Sequence, residues 1–420
     1  MKNIIDRKLT LAMAFILTST GSPAFAASNE AELSALKQQV QTLTQQNQML
    51  NQRLTEMEQS LHKQNQADQP QASAEEQDSP SAKATDKEEP GRAPEDAGKR
   101  LGDIFSLSGS IEGDLITTED FAGKNSSEFN LDTVELILEA KANEWASGRI
   151  VVDYDGDDED LYLDEATITL GKTATFPLFL TAGKIYAPFG DFSTNMIQDP
   201  FTQTLGEINE EGAIFGWEHN GLTATLFAYN GVEETGDDQT INGIGAALTY
   251  TYEQEDFKVS AGAGWASNLA DADGVQDLLP RSETDDILLA GSVPGLNLHA
   301  GASFSGLSVL TEYTAALDSF QADELAFANS GAEPKAWNTE LAYTTELLTK
   351  ETVFALGMQK TWEALALELP EYRYSASAAM AFYKGLSLHL EYYLDEDYAS
   401  ADGGTESDGY GFTTRLAYEF

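Results

Sequence analysis

GYGFTTRLAYEF, residues 409–420, decides the fold. Tyr410, Phe412, Leu416, Tyr418 and Phe420 take one side of a period-two pattern, and Gly411, Thr413, Arg415, Ala417 and Glu419 take the other. That is a strand with an oily face and a wet face. It ends on an aromatic carboxy-terminus, Phe420. In a membrane barrel the oily face meets lipid, and a last strand closes the sheet on the first. The aromatic ending also resembles the signal by which bacterial barrels reach their assembly machinery, so that machinery is an expected partner through Phe420.

Upstream the same period recurs. Candidate strands lie at 104–116, 128–143, 146–156, 161–171, 177–187, 211–219, 222–231, 241–252, 257–268, 293–304, 306–316, 335–346, 351–362, 372–384, 385–396 and 408–420. Short turns alternate with long connections, the asymmetry of bacterial barrels with periplasmic turns and external loops. On two strands Val134, Leu136, Leu138, Ala140 and Ala142, then Leu386, Leu388, Leu390, Tyr392 and Leu394, point outward. Glu135, Glu139, Lys141, Ser387, His389 and Glu391 point inward, where a water-filled lumen tolerates them and a packed core would not. A secreted β-sandwich or β-solenoid is the competing architecture. The expected fold is an all-β transmembrane barrel of about 16 antiparallel strands over 101–420, preceded by an α-helical coiled coil.

The first hundred residues read differently. Residues 1–26 form a secretory signal: Lys2, Arg7 and Lys8 precede an apolar run and Ala24-Phe25-Ala26. No cysteine follows to carry a lipid anchor. Over 28–64, Leu33, Leu36, Val40, Leu43, Asn47, Leu50, Leu54, Met57 and Leu61 repeat at three-four spacing. Such a rod is about 40 Å long. Its single apolar seam calls for another helix, and Asn47 at an a position fixes register, so a homo-oligomer (trimer or dimer) is expected, with docking on a different protein as the alternative. Residues 65–100, with Pro70, Pro80, Pro90 and Pro94, read as a disordered linker. The coil then stands in the periplasm, on the side where an even strand count puts both barrel termini.

Composition narrows the function. The chain has 420 residues, a net charge of −46 and no cysteine. That acidity argues against nucleic acid, and the missing thiols exclude cysteine catalysis and thiolate metal sites. His62, His219, His299 and His389 are scattered, with no nucleophile, metal or cofactor motif around them, so no enzyme is expected. An outer-membrane hydrolase would need a Ser–His pair that only the fold could assemble. Asp153-x-Asp155-x-Asp157 has Asp158 where a calcium loop needs glycine, so an EF-hand is rejected. Acid runs elsewhere suit solvated loops, with divalent bridges to lipopolysaccharide as a further expectation.

The third long connection, 188–210, carries its own apolar anchors: Phe189, Phe192, Met196, Ile197, Phe201 and Leu205. A loop with its own apolar residues packs against something, and the barrel interior is nearest. It is read as a constriction, with a lid over neighbouring loops as the alternative. Asp191, Asn195, Asp199, Glu207 and Asn209 would narrow the path, and Lys184 and Arg149 would offer counter-charge.

DTVELILEAKANEWASGRIVVDYD (132–155), LDEATITLGKT (163–173), FPLFLTAGKIYAPFGDFSTNMIQDPFTQTLGE (176–207), AYNG (228–231) and PKAWNTELAYT (334–344) resemble the LbtU family of siderophore porins. The most specific part is 181–207. The resemblance implies an outer-membrane barrel without a plug domain that takes up an iron-loaded siderophore. Members often carry a basic residue just after the Leu-Gly-Glu of this loop; Leu205-Gly206-Glu207 is followed here by Ile208, Asn209, Glu210 and Glu211. A cation-preferring diffusion porin and a structural envelope tether anchored by the barrel are the other readings.

Overall fold

The computed structural model describes residues 104–155, 160–232, 241–281, 287 and 289–420. The signal segment, the coiled coil and the linker lie outside the described residues. So do the acidic positions 156–159 and 233–240.

Sixteen antiparallel strands close into one barrel. They are β1 (Phe105–Glu119), β2 (Asn125–Asn143), β3 (Ala146–Asp155), β4 (Asp160–Lys172), β5 (Phe176–Tyr186), β6 (Asn209–His219), β7 (Leu222–Tyr229) and β8 (Gly243–Gln254). The ring continues with β9 (Phe257–Ala266), β10 (Gly295–Phe304) and β11 (Leu307–Ala316). A small separate hairpin, β12 (Ala326–Phe327) and β13 (Ser330–Gly331), interrupts the sequence. The last wall strands are β14 (Lys335–Leu347), β15 (Lys350–Trp362), β16 (Tyr372–Tyr383), β17 (Leu386–Glu396) and β18 (Asp408–Glu419). Each pairs with its neighbour in the chain, β11 with β14, and β18 with β1.

The outward face is apolar and open. On β18, Phe412, Leu416 and Tyr418 are exposed while Thr413 and Ala417 are buried, as the period of two requires. Leu136 and Leu138 on β2 and Leu388, Leu390 and Tyr392 on β17 repeat the pattern. A continuous apolar belt around a closed barrel is a surface for lipid, not water. At the short-turn end Phe105, Trp145, Phe176, Phe257, Phe304, Tyr383 and Phe420 form an aromatic rank.

The short turns explain the strand register. Asn220-Gly221, Ser305-Gly306 and Leu348-Thr349 are two-residue turns with both residues at positive φ, the geometry that matches strand twist. Gly221 is required twice over: its φ is +79°, and a Cβ there would stand 2.1 Å from the Thr251 carbonyl oxygen. Leu348-Thr349 adopts the same conformation without glycine, at about 1–2 kcal/mol per residue.

The main buried apolar cluster is built from the long connections, here L3 (187–208), L5 (267–294) and L6 (317–334), packed on wall residues such as Phe227 and Tyr229 of β7 and Ala266 of β9. Phe189, Leu205 and Ile208 of L3 cluster with Leu269 and Val275 of L5 and Phe320 and Leu325 of L6. L5 is longer than L3 and contributes α2 (Asp273–Gln276), which packs on α1 (Phe201–Thr204) of L3. Asp273 N donates to Glu207 O at 2.9 Å across the two loops.

L5 carries a pH-sensitive pair. Asp271 is buried and accepts from Tyr229 Oη (3.0 Å), Val232 N (2.8 Å) and Asn268 Nδ2 (3.3 Å). Burial nevertheless pushes its carboxyl up to about 7, and burial does the same to Asp273. An unfolded Asp titrates near ~3.9. Between those values the folded loop binds more protons than the unfolded one, so its stability is greatest below pH ~4 and falls as pH rises toward ~7. Amide protection of L5, corrected for intrinsic exchange, is therefore expected to be higher at pH 5 than at pH 8. Asp271→Asn should reduce that difference, and equal protection at both pH values would contradict the account.

Candidate functional site

L3 enters the barrel and is fastened to the far wall. The parity of β11, β14 and β17 turns Glu312, Glu340 and Glu391 inward, and all three are buried. Glu312 accepts from Asp191 N (2.9 Å), Phe192 N (3.0 Å) and Thr202 Oγ1 (3.2 Å). Glu340 accepts from Thr194 Oγ1 (2.6 Å), Asn195 N (2.8 Å) and Asn195 Nδ2 (3.1 Å). Glu391 accepts from Ile197 N and from Gln198 N (3.0 Å). Gln359 on β15 accepts from Phe201 N at 2.7 Å, and Ser377 Oγ donates to Asn195 O at 2.8 Å.

This pattern solves a physical problem. A loop inside a barrel has backbone N–H groups with no ladder to join, and leaving them unpaired is costly. Wall carboxylates take them as charge-assisted bonds, shorter and stronger than neutral ones. Two further contacts lock the root and the short helix. The Phe189 carbonyl lies where a Cβ on Gly264 of β9 would be, 1.9 Å away, so that wall position has to be glycine. Arg373, bound to Asp395 through Nε (2.8 Å) and Nη2 (2.9 Å), stacks over Phe201 at 4.7 Å and Tyr393 at 4.3 Å. The loop thus packs both ways: its root joins the loop core and its tip spans the lumen.

The sequence-derived positions separate into distinct groups. Asp191 and Asn195 belong to the fastening; the Asp191 carboxylate also accepts from Ser193 Oγ at 2.8 Å. Asp199 lies near enough to Arg415 and Asp132 to feel their charges, and burial pushes its carboxyl above the usual range. Lys184, Glu207 and Asn209 come together around a cavity of about 340 Å³, with Tyr162, Tyr186, Asp164, Glu210 and Asp273. Lys184 Nζ donates to Leu163 O at 2.9 Å, and Asn209 Nδ2 donates to Asp164 O at 3.1 Å. The buried Asn209 Oδ1 accepts no hydrogen bond from the described residues. Arg149 is held on β3 between Glu139 of β2 (3.3 Å) and Glu165 of β4 (3.0 Å), which neutralise it.

Among the described residues, Arg415 of β18 carries the densest ion cluster. It binds Asp114 through two nitrogens (2.9 and 2.8 Å) and Glu112 at 2.6 Å, both on β1 across the closing seam, and also Asp132 of β2. Asp114 stands directly opposite Arg415 in the register. The same cluster closes the barrel and lines the wall facing Asp199.

No family profile matches the chain. In sequence it is similar to a UPF0422 protein of Coxiella burnetii, 31% identical over 302 residues, covering 70% of this chain and 64% of that protein. A UPF0422 protein of Legionella pneumophila (strain Lens) is 27% identical over 316 residues, covering 70% and 59%. The chain spans a little under two thirds of the length of these relatives. In structure it is similar to OprB of Pseudomonas putida (TM-score 0.55, 10% identity, 77% of this chain and 96% of that one). It is likewise similar to an anion-selective porin from Comamonas acidovorans (0.52, 13%, 75% and 99%). OmpF of Salmonella typhi, solved with daunomycin, matches at 0.51 and 13% identity over 75% and 97%. At these identities the likeness is one of fold. The chain therefore has UPF0422 proteins as sequence relatives and a closed sixteen-stranded barrel of the kind that outer-membrane porins have.

Proposed function

We propose that this chain is a channel in the outer membrane of a Gram-negative bacterium, and that its cargo is an iron-loaded siderophore. The observation that carries the channel reading is L3 pinned across the lumen by Glu312, Glu340 and Glu391. A loop held this way narrows the path. The cargo reading rests on the resemblance over 181–207, which falls on β5 and L3, the elements that set the constriction. The hydroxyls of Tyr162 and Tyr186, the amides of Asn209 and Gln276 and the ammonium of Lys184 offer hydrogen bonds that suit a polar chelate.

A second reading has its own support. Asp164, Glu207, Glu210, Asp273 and Asp277 outnumber Lys184 around the same cavity, which favours a cation-preferring diffusion channel. Titrating ferric siderophores against the purified full chain, read by its five tryptophans, separates the two. Saturable quenching by one ferric form and none by its iron-free form is the expected result. No saturable response across several siderophores, with cation-selective conductance, would move the assignment to the second reading.

A further inference from the structure

A second cavity, of about 490 Å³, opens at the long-loop rim, away from the constriction. Register places its walls. Trp362 at the end of β15 opposes Lys335 of β14, and both take the outward side, since Thr361 and Ala336 beside them are buried on the inward one. Tyr313 of β11 meets Trp362 edge-on at 6.4 Å. Phe327 of β12 meets Tyr398, from the connection between β17 and β18, edge-on at 5.6 Å. All four rings line the same hollow.

The charge around these rings is unbalanced. Glu363, Glu371 and Asp402 line the cavity against Lys335 alone. Lys335 is paired with Glu333 at 2.9 Å, and Lys360 with Glu371 at 3.6 Å. Glu363 Oε2 accepts the backbone N–H of Glu333 at 2.8 Å. Among the described residues the Asp402 carboxylate has no hydrogen bond or ion pair, and Glu363 has no ion pair. An anion would meet these two carboxylates uncompensated.

Ring faces beside unpaired carboxylates select a cation of a particular kind. A metal ion needs several oxygens at close range, and among the described residues no group of three acids or histidines stands near enough to hold one. An organic ammonium needs less. Its charge spreads over C–H groups, which lie against ring faces while carboxylates balance the charge nearby. The chain makes this pairing with its own side chain at the same rim: Lys360 Nζ sits 4.3 Å over the Tyr372 ring and 5.0 Å over Trp362.

We propose that this rim pocket binds a small organic cation of the alkylammonium class. The proposal does not rest on the cargo of the channel. The test titrates choline calorimetrically into the purified full chain, and saturable binding is expected. The uncharged isostere of choline, with carbon in place of nitrogen, has the same shape and should bind about tenfold more weakly, as a desolvated cation–π contact implies. Trp362→Leu and Asp402→Asn should each weaken choline about tenfold, or ~1.4 kcal/mol. Heat-modifiable migration on gels reports that each variant is folded. Isostere binding as tight as that of choline would overturn the proposal, because the pocket would then be reading shape and not charge. Undiminished binding by both folded variants would overturn it too. A conducting barrel that gives no saturable heat with choline sinks this site and leaves the channel reading standing.

Discussion

Replacing Glu340 and Glu391 together by alanine is expected to release L3 from the far wall and raise single-channel conductance. Glu340 accepts three hydrogen bonds from Thr194 and Asn195, and Glu391 accepts two from Ile197 and Gln198. Bonds to a charged acceptor are worth ~1.5–3 kcal/mol each, and the donors left behind would stand unpaired in a half-buried place. The bonds share one segment, so their losses do not simply add. A local cost of ~3–5 kcal/mol is a fair scale for removing such partners. That is enough to free the tip while the loop-core contacts of Phe189, Leu205 and Ile208 hold the root. Larger solutes should then pass faster in a liposome-swelling assay. Glu340→Gln, which keeps one acceptor oxygen, should fall between. Conductance and size cut-off identical to the unaltered protein would mean that L3 does not limit the path.

The second large effect is expected at Arg415. Arg415→Met keeps an unbranched stem and removes the charge. Asp114 is 3% exposed, and with Glu112 and Asp132 it would be left as a cluster of one sign. Breaking a buried ion cluster from one side costs ~3–5 kcal/mol, because the remaining charges lose their compensation. The loss falls on the β1–β18 seam, the pairing that closes the barrel. The temperature at which the folded gel band disappears should drop clearly. Arg415→Met combined with Asp114→Asn should recover part of it, since the pair is coupled. Equal heat resistance of Arg415→Met and the unaltered chain would contradict this account of the seam.

Much of this was legible in the sequence, and the reason is periodicity. Sixteen strands emerge because each wall position has a lipid-type or lumen-type neighbour, alternating without exception on stretches such as 386–392. The turns were legible where glycine or a short polar pair interrupts the alternation, as at Asn220-Gly221. That L3 packs on something followed from Phe189, Phe201 and Leu205, apolar residues a solvent-exposed loop has no use for; they join the loop core, and the inward reach of the tip comes from the wall carboxylates. The hairpin β12–β13 was not legible, since two residues per strand carry no period.

The fastening was hidden for a different reason. Glu312, Glu340 and Glu391 look like any inward carboxylates, and they lie more than a hundred residues from the loop they hold. Only closure of the barrel brings them to L3. The one available signal was parity: each is an acid on the inward face of its strand. Arg149 shows the converse. Its position on the inward face was readable, but its neutralisation by Glu139 and Glu165 depends on both neighbouring strands at once. Asp164 and Asp273, which complete the cavity around Lys184, come from β4 and L5 and share no local pattern with it.

Single-channel recording of the purified full chain in a planar bilayer tests the central claim most directly. An L3-narrowed aqueous lumen is expected to give discrete, reproducible conductance steps. A barrel that inserts in its folded, heat-modifiable form and produces no steps would contradict it.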